Sequence, residues 1–233
     1  MNWKKAATLM LAGALTAAAS AGTQSWDFSD GIGDEWRLFK YPLFGNQEDL
    51  PWIVKDGALQ HSAKNRWTTA LVGEESWNDY VVQARMRIDD PDDTFPACLV
   101  FAARFLSDHQ FSCYLFSYSP KINRVYLAWQ RAGGDNVRNS AEVSENRLEL
   151  EIGEWFNIRA HVEDGRFRCY INDVLIFDRK DDAYIGQGQI GFAAQYSVAS
   201  FDDLIVTGPN IEDLLAVDPE GSMAAQWAEL KRN

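Results

Sequence analysis

A long run of alternating apolar and polar residues dominates the chain from about residue 52 to 207. In DYVVQARMRID, Tyr80, Val82, Ala84, Met86 and Ile88 fall on one face of an extended strand, and glutamine and arginine fall on the other. The same period recurs in LVFAARFL, FSCYLFSY, RVYLAWQR, WFNIRAHV, RFRCYIND, GQIGFAAQ and FDDLIVTG. Many short strands separated by turn sequences predict an all-β protein, an antiparallel β-sandwich.

The two ends of the chain depart from this pattern. Two lysines precede a stretch of 14 apolar and small residues, AATLMLAGALTAAA, and ASA then completes a cleavage site of the A-x-A kind. Residues 1–21 are therefore predicted to be a signal peptide, so that the mature protein is secreted or periplasmic. Residues 22–208 are predicted to form the sandwich domain. Residues 209–233 are predicted to be a C-terminal tail, in which Ser222 is a suitable N-cap for a short helix.

The charge of the mature chain restricts its partners. Removing the two lysines of the signal peptide from the 22 basic residues leaves 20 against 34 acidic residues, a net charge of −14. Such a surface repels nucleic acid and anionic membranes, and no later segment is apolar enough for membrane insertion. It suits neutral or cationic partners and divalent cations.

The cysteines predict thiols rather than a disulfide framework. Cys98, Cys113 and Cys169 are an odd number, far too few for a small scaffold held together by disulfides. Cys113 and Cys169 each alternate with apolar residues, which is typical of buried strand positions. The sequence leaves one bridge open as an alternative.

Five strings taken in order carry a family resemblance: WDFSD, PWIVKDGAL, YVVQARMRI, DTFPACLVF and GQIGFAAQYSVASFDDLIV. Together they resemble the concanavalin A-like lectin/glucanase superfamily. They lie nearest the branch that contains laminin-G-like modules and 3-keto-disaccharide hydrolases, and are more distant from family-16 glycoside hydrolases. The resemblance covers roughly residues 25–208 and implies a jelly-roll sandwich with a carbohydrate ligand in a concave groove.

The string ELEIGEW tests the family-16 alternative. Glu149, Glu151 and Glu154 resemble the E-x-D-x-x-E catalytic strand of those enzymes, which need two carboxylates beside the scissile bond. In that family, however, the catalytic strand follows the W-P-A segment. The corresponding strand here, HQFSCYLFSY, contains no carboxylate. ELEIGEW is therefore predicted to be a solvated face followed by a turn.

Arginine and aromatic residues on the polar faces of the strands are the candidate glycan-binding groups. Arginine hydrogen-bonds hydroxyl or carboxylate oxygens with a planar fork, and an aromatic ring stacks on the C–H face of a sugar. Arg104 stands in the apolar string VFAARF, opposite Phe101, Ala103 and Phe105 if the strand is regular. The residues predicted to line one groove on the concave sheet are Arg85, Arg87, Arg104, Tyr114 and Trp129.

Two function classes remain open from the sequence. One is an exported carbohydrate-binding domain that recognises a polysaccharide or oligosaccharide. The other is a glycoside hydrolase of the 3-keto-disaccharide hydrolase type, which the resemblance implies but for which no catalytic residue can be assigned. The strands offer no pair of carboxylates suited to hydrolysis, which favours binding.

The resemblance also implies a structural calcium ion. Family-16 hydrolases and their relatives hold Ca²⁺ between the first and the last strand, and the matching residues here are Asp27 and Asp202, with a backbone carbonyl near Gly57. Calcium prefers six to eight oxygen ligands, so water would complete the shell. The histidines have no spacing typical of transition-metal ligands, and no other cofactor is predicted.

Overall fold

The computed structural model describes residues 21–40, 50–64, 67–91, 97–107, 110–130, 137–140, 148, 150–181 and 187–213. Within these ranges every regular element is a β-strand. The strands are β1 Gly22–Trp26, β2 Arg37–Lys40, β3 Trp52–Lys55, β4 Ala58–His61, β5 Trp67–Val72, β6 Tyr80–Pro91, β7 Ala97–Ser107, β8 Gln110–Ser119, β9 Arg124–Gln130, β10 Val137–Ser140, β11 Trp155–Glu163, β12 Arg166–Ile171, β13 Val174–Lys180, β14 Gln189–Gln195 and β15 Ser197–Gly208.

These strands form two antiparallel sheets. The larger sheet has the order β13-β12-β11-β6-β15-β4-β3, with β1 also paired to β15. The smaller sheet has the order β10-β9-β8-β7-β14-β5-β2. The predicted all-β antiparallel sandwich is therefore confirmed. The predicted signal peptide lies almost wholly outside the described residues, and the predicted tail helix lies entirely outside them.

The main hydrophobic core lies between the two sheets. Along β6, Tyr80, Val82, Ala84, Met86 and Ile88 are buried, as the alternation predicts. Aromatic rings join the layers: Phe192 of the smaller sheet stacks on Phe201 of the larger sheet at 4.4 Å. Burial of such large rings supplies most of the energy that holds the layers together.

A second apolar layer covers the opposite face of the smaller sheet. Its buried members are Phe39, Leu71, Cys98, Val100, Ala103, Cys113, Leu115, Ala128 and Ala193. The central strands of this sheet are therefore buried on both faces, which explains why β7 is a nearly continuous apolar run. It also explains why these strands carry so little charge.

The three cysteines are buried free thiols, as the apolar neighbours of Cys113 and Cys169 predicted for those two. Burial raises the pKa of the Cys98 thiol to about 12, and it raises the pKa of Cys113 and Cys169 as well. A thiol that stays protonated is a poor nucleophile and is slow to oxidise. The cysteines therefore pack as small apolar side chains.

A β-bulge interrupts β7 between Phe101 and Arg104. Ala102 adopts a left-handed backbone conformation there (φ 47°), and its N–H donates to the buried hydroxyl of Tyr80 at 2.8 Å. Phe101 and Ala102 both belong to the main core, whereas Ala103 belongs to the second layer. The bulge therefore shifts the alternation that the sequence predicts for Arg104.

Candidate functional site

The ELEIGEW segment forms a surface turn beside the sandwich. Leu148 and Leu150 pack against the core, and the exposed Glu151 and Glu154 close a turn. Gly153 has a φ of 85° and donates its N–H to the carbonyl of Ile88 at 2.9 Å. Glu149 lies outside the described residues. The predicted solvated turn is confirmed for Glu151 and Glu154.

The five predicted glycan-binding residues do not share one groove, which corrects the prediction. Arg85 and Arg87 project from the outer face of the larger sheet, whereas Tyr114 and Trp129 point inward from the smaller sheet. Arg104 lies at the far end of β7, beyond the bulge. The reason is that β6 pairs with β11 and β15, while β7, β8 and β9 belong to the opposite layer.

Arg85 and Arg87 lie close to the Trp155 side chain on the neighbouring strand β11. Their guanidinium carbons are 4.8 Å and 4.9 Å from the Trp155 ring centroid. Arg85 is 3.2 Å from a carboxylate oxygen of Asp203, and Arg87 is 2.6 Å from a carboxylate oxygen of Asp89. Cation–π contacts and ion pairs therefore hold both arginines on the sheet surface.

Arg104 lies next to Glu75 in the turn before β6. Its Nε is 4.0 Å from one Glu75 carboxylate oxygen, and the other oxygen accepts the backbone N–H of Phe105 at 3.1 Å. Both side chains are about two-fifths exposed, so this pair contributes little to stability. Because Arg104 follows the bulge, it lies away from Tyr114 and Trp129.

Tyr114 and Trp129 instead contribute to a pocket at the side of the sandwich, between the two sheets. We call it the edge pocket. It has a volume of about 280 Å³. Its lining residues are Tyr114, Leu127, Trp129, Phe167, Arg179, Lys180 and Asp181.

The strand register explains how the edge pocket is assembled. Tyr114 and Trp129 are paired neighbours on β8 and β9. Phe167 on β12 pairs with Arg179 on β13, so Arg179 lies on the core side of that edge strand. The strand β13 ends at Lys180, and Asp181 follows it at the rim. The pocket thus has one wall from each sheet.

The walls of the edge pocket are aromatic and rigid. Tyr114 is almost fully buried, with its ring stacked on Phe101 at 5.5 Å and tilted against Phe167 at 4.4 Å. Its hydroxyl donates a hydrogen bond of 2.5 Å to the Asp181 carboxylate. Tyr114 is therefore a core residue whose hydroxyl alone reaches the rim, rather than part of a groove on the concave sheet as predicted.

Two polar groups of the edge pocket lack a partner. The Trp129 indole N–H is buried and makes no hydrogen bond within the part of the chain that the structure describes. The exposed Lys180 ammonium has no ion-pair partner among the same residues. An aromatic wall with cationic and anionic side chains at its rim matches a hydroxylated ring, which has apolar C–H faces and polar edges.

Besides Leu127 of β9, four lining residues of this pocket escaped the sequence analysis: Phe167, Arg179, Lys180 and Asp181. Phe167 is one of several alternating apolar residues, and nothing in GRFRCYIND marks it as special. DRKDD has the composition of an ordinary polar loop. Only the pairing of β12 with β13 brings these residues opposite Tyr114 and Trp129.

The proposed calcium ligands lie where the first strand meets the last. One Asp27 carboxylate oxygen accepts both the N–H and the hydroxyl of Ser29, which lowers the pKa of Asp27. Partial burial raises the pKa of Asp202, and the negative charges of Asp203 and Asp27 add to this effect. The two carboxylates are therefore close enough to interact.

The described residues do not form an evident cation site, however. They contain no group of three or more histidine, cysteine, aspartate or glutamate side chains that could hold a metal ion. Arg85 already places a positive charge 3.7 Å from Asp202. Because an arginine compensates this carboxylate, the fit to calcium is poor, and ligation by Asp27 and Asp202 stays a prediction.

A family model described as the 3-keto-alpha-glucoside-1,2-lyase-like domain matches residues 24–207. The chain belongs to this family. The match spans the sandwich from β1 to β15, and it confirms the resemblance to 3-keto-disaccharide hydrolases. None of the curated protein sequences matches the chain.

Solved structures share the fold of this lyase-like domain. The carbohydrate binding module CBM66 from Bacillus subtilis has a TM-score of 0.55 at 18% identity, covering 75% of this chain and 96% of its own. The Bacillus licheniformis beta-glucanase has a TM-score of 0.56 at 8% identity, with coverages of 80% and 97%. The endo-beta-1,3-glucanase from Pyrococcus furiosus has a TM-score of 0.58 at 10% identity, with coverages of 79% and 93%. The predicted concanavalin A-like jelly roll is confirmed.

No helix in the described part of the lyase-like domain is long and apolar enough to cross a membrane.

Proposed function

We propose that this domain binds a carbohydrate and that the edge pocket holds one sugar ring. The observation that carries the proposal is the pocket itself: three aromatic rings from two sheets face a rim of Arg179, Lys180 and Asp181. Trp129 offers a flat apolar surface to the C–H face of a sugar. Lys180 and Asp181 offer a donor and an acceptor to its hydroxyl groups.

Two comparisons support a sugar as the ligand. The family description names a 3-keto-glucoside, which is an oxidised sugar. One structural neighbour is named as a carbohydrate binding module, and others are named as glucanases. The fold alone does not assign a function, so the proposal depends on the chemistry of the pocket.

The family description favours a second candidate function, cleavage of a 3-keto-glucoside by elimination. In such a reaction a base removes the proton on C2, which the neighbouring C3 carbonyl acidifies. The C1–O bond then breaks, the leaving oxygen takes a proton, and a C1=C2 double bond remains in the sugar. In the edge pocket, Tyr114 and Asp181 are hydrogen-bonded groups able to exchange a proton, and Lys180 can stabilise negative charge on the carbonyl oxygen.

Binding measurements on pocket variants test the first function. Glucose-terminated disaccharides and their 3-keto forms are titrated into the protein by calorimetry and by tryptophan fluorescence. Trp129→Ala is expected to weaken binding at least tenfold, about 1.4 kcal/mol, whereas Trp129→Phe retains most of the affinity because a ring remains. Lys180→Gln should weaken binding, and Lys55→Gln, an exposed lysine on β3, is the matched control. Wild-type affinity in a folded Trp129→Ala variant would contradict the proposal.

Product analysis separates binding from catalysis. If the domain is an enzyme, incubation with a 3-keto-disaccharide releases the second sugar, and Asp181→Asn abolishes release while binding persists. A binding domain leaves the disaccharide intact over the same period. The two outcomes are exclusive for a given substrate, so one time course decides between them.

We also propose that the chain is exported after removal of residues 1–21. The support is the sequence pattern of two lysines, an apolar stretch and ASA. Expression of the full chain in a bacterial host, followed by N-terminal sequencing, should give protein that begins at Gly22 outside the cytoplasm. Full-length protein retained in the cytoplasm would contradict export.

A further inference from the structure

A second depression lies on the outer face of the larger sheet, away from the edge pocket. We call it the sheet-face groove. Its volume is about 370 Å³. Its lining includes the polar side chains of Gln83, Arg85, Asn157, Arg159, Tyr170 and Asp203. They come from β6, β11, β12 and β15.

The strand register places these residues in two rows across the sheet. In one row, Asp202 pairs with Arg85, which pairs with Asn157. In the other, Gln83 pairs with Arg159, which pairs with Tyr170. Each row crosses three strands and spans about 10 Å, and the two rows together cover four adjacent strands, a length of about 15 Å across the sheet. This length suits an extended oligosaccharide better than a single sugar.

Irregular backbone borders the groove at both ends. At one end β15 has a bulge between Asp202 and Ile205, where Asp203 adopts a left-handed conformation (φ 49°). At the other end β13 has a bulge at Ile176, opposite Cys169 and Tyr170 of β12. A bulge bends its strand and redirects a side chain, and bulges are frequent beside functional sites. Both bulges lie beside residues that line the groove, Asp203 and Tyr170.

Several hydrogen-bonding groups in the groove are available to a ligand. The side-chain amides of Gln83 and Asn157 are exposed and bond to no other residue in the described ranges. Each amide supplies both a donor and an acceptor, as a sugar hydroxyl does. A hydroxyl-rich ligand can therefore hydrogen-bond to both exposed amides.

The charges in the groove are balanced. Arg85 is 3.2 Å from a carboxylate oxygen of Asp203, and Arg159 is 3.0 Å from one of Asp173. An anionic ligand would have to displace these carboxylates from the arginines, at the cost of separating two ion pairs. A neutral ligand can hydrogen-bond to the remaining guanidinium N–H groups and leave both pairs intact.

From these observations we infer that the sheet-face groove is a second binding site, and that it takes an uncharged oligosaccharide chain. It is separate from the edge pocket because Tyr170 projects outward from β12 while Phe167 projects into the core. The domain therefore has two sugar sites on different surfaces.

A panel of linear hexasaccharides tests the inference: neutral β-1,3- and β-1,4-linked glucose hexamers, and the anionic hexagalacturonate. At least one neutral hexamer is expected to bind. Asn157→Ala combined with Gln83→Ala should weaken that binding at least tenfold, whereas Lys55→Ala, an exposed residue of the same sheet, should leave it unchanged. Trp129→Ala should alter it by less than twofold, because that ring belongs to the other site. Melting curves confirm that each variant is folded.

A second measurement uses the side-chain amides themselves. In a ¹⁵N-resolved NMR spectrum, the NH₂ signals of Gln83 and Asn157 should shift on addition of the neutral hexamer and remain in place with hexagalacturonate. Failure of every neutral hexamer to bind, tighter binding of hexagalacturonate, or unshifted amide signals would overturn the inference. A loss of binding in Trp129→Ala alone would locate the sugar in the edge pocket, which overturns the second site and retains the first.

Discussion

The hydroxyl of Tyr114, on a strand of the smaller sheet, donates a hydrogen bond of 2.5 Å to the carboxylate of Asp181, which follows the edge strand of the larger sheet. This contact joins the two layers at the mouth of the edge pocket. It explains how an almost fully buried tyrosine still presents a polar atom at the surface. The Tyr114 ring packs in the core, and its hydroxyl holds Asp181 in place at the rim of the pocket.

Tyr114→Phe removes that hydrogen bond and keeps the ring. We expect the free energy of unfolding to fall by about 1 kcal/mol, below the usual value for a hydrogen bond to a charged group because Asp181 is partly exposed. Urea unfolding measures the change. Tyr118→Phe on the same strand is the control, since its hydroxyl makes longer contacts with neutral acceptors at 3.2 Å and 3.4 Å. A larger loss for Tyr118→Phe would contradict the expectation.

His61 should make stability depend on pH. It is fully buried, its Nδ1 lies 2.7 Å from the Ser197 carbonyl oxygen, and burial lowers its pKa below the ordinary value of 6.5. Between the lowered pKa and 6.5, the unfolded chain binds a proton that the folded protein excludes. The free energy of unfolding should therefore decrease as pH falls below about 6.5, by at most about 1.4 kcal/mol per pH unit.

Urea unfolding at pH 7.5 and 5.5 measures this effect. His61→Phe should show a smaller decrease than the wild type, because the titrating group is gone. His161→Gln is the comparison variant. The pKa of His161 is also lowered, by partial burial and by the charges of Arg159 and Arg168, but His161 is much less buried than His61. An unchanged pH dependence in His61→Phe would show that other groups are responsible.

Glu151→Gln should leave any sugar binding or cleavage within about twofold of the wild type. Glu151 is exposed in a turn, whereas loss of a catalytic acid or base typically lowers the rate by 10² or more. The rate of release from a 3-keto-disaccharide, or the affinity for it, provides the measurement. A hundredfold loss in a folded variant would restore the family-16 interpretation of ELEIGEW.

Chelation tests the calcium prediction. If Asp27 and Asp202 hold an ion between the first and last strands, excess chelator should lower the melting temperature, because an ion that binds only the folded state stabilises it. Asp27→Asn should remove the effect of the chelator, and Asp56→Asn, in the turn after β3, should not. An identical wild-type melting curve with and without chelator would rule out the site.

The sequence alone determined the fold class and the faces of single strands. The alternation along β6 correctly separated the buried Tyr80, Val82 and Met86 from the outward Arg85 and Arg87. It also identified the buried cysteines and the ELEIGEW turn. These features depend on contacts within one strand or turn, where a side-chain period of two assigns each residue to a face.

Only the tertiary structure decided which faces come together. Apolar and polar residues alternate in a similar way around Arg85 and around Trp129, yet the two residues lie in different sheets. The reason is that β6, which carries Arg85, pairs with β15, more than a hundred residues later in the chain. The bulge at Ala102 shifted the alternation before Arg104, and the bulge between Asp202 and Ile205 lies beside the sheet-face groove. A single added residue moves every later side chain of its strand to the opposite face of the sheet. Pairing between distant strands leaves no local sequence pattern. Both sites therefore form only when the sheets are assembled.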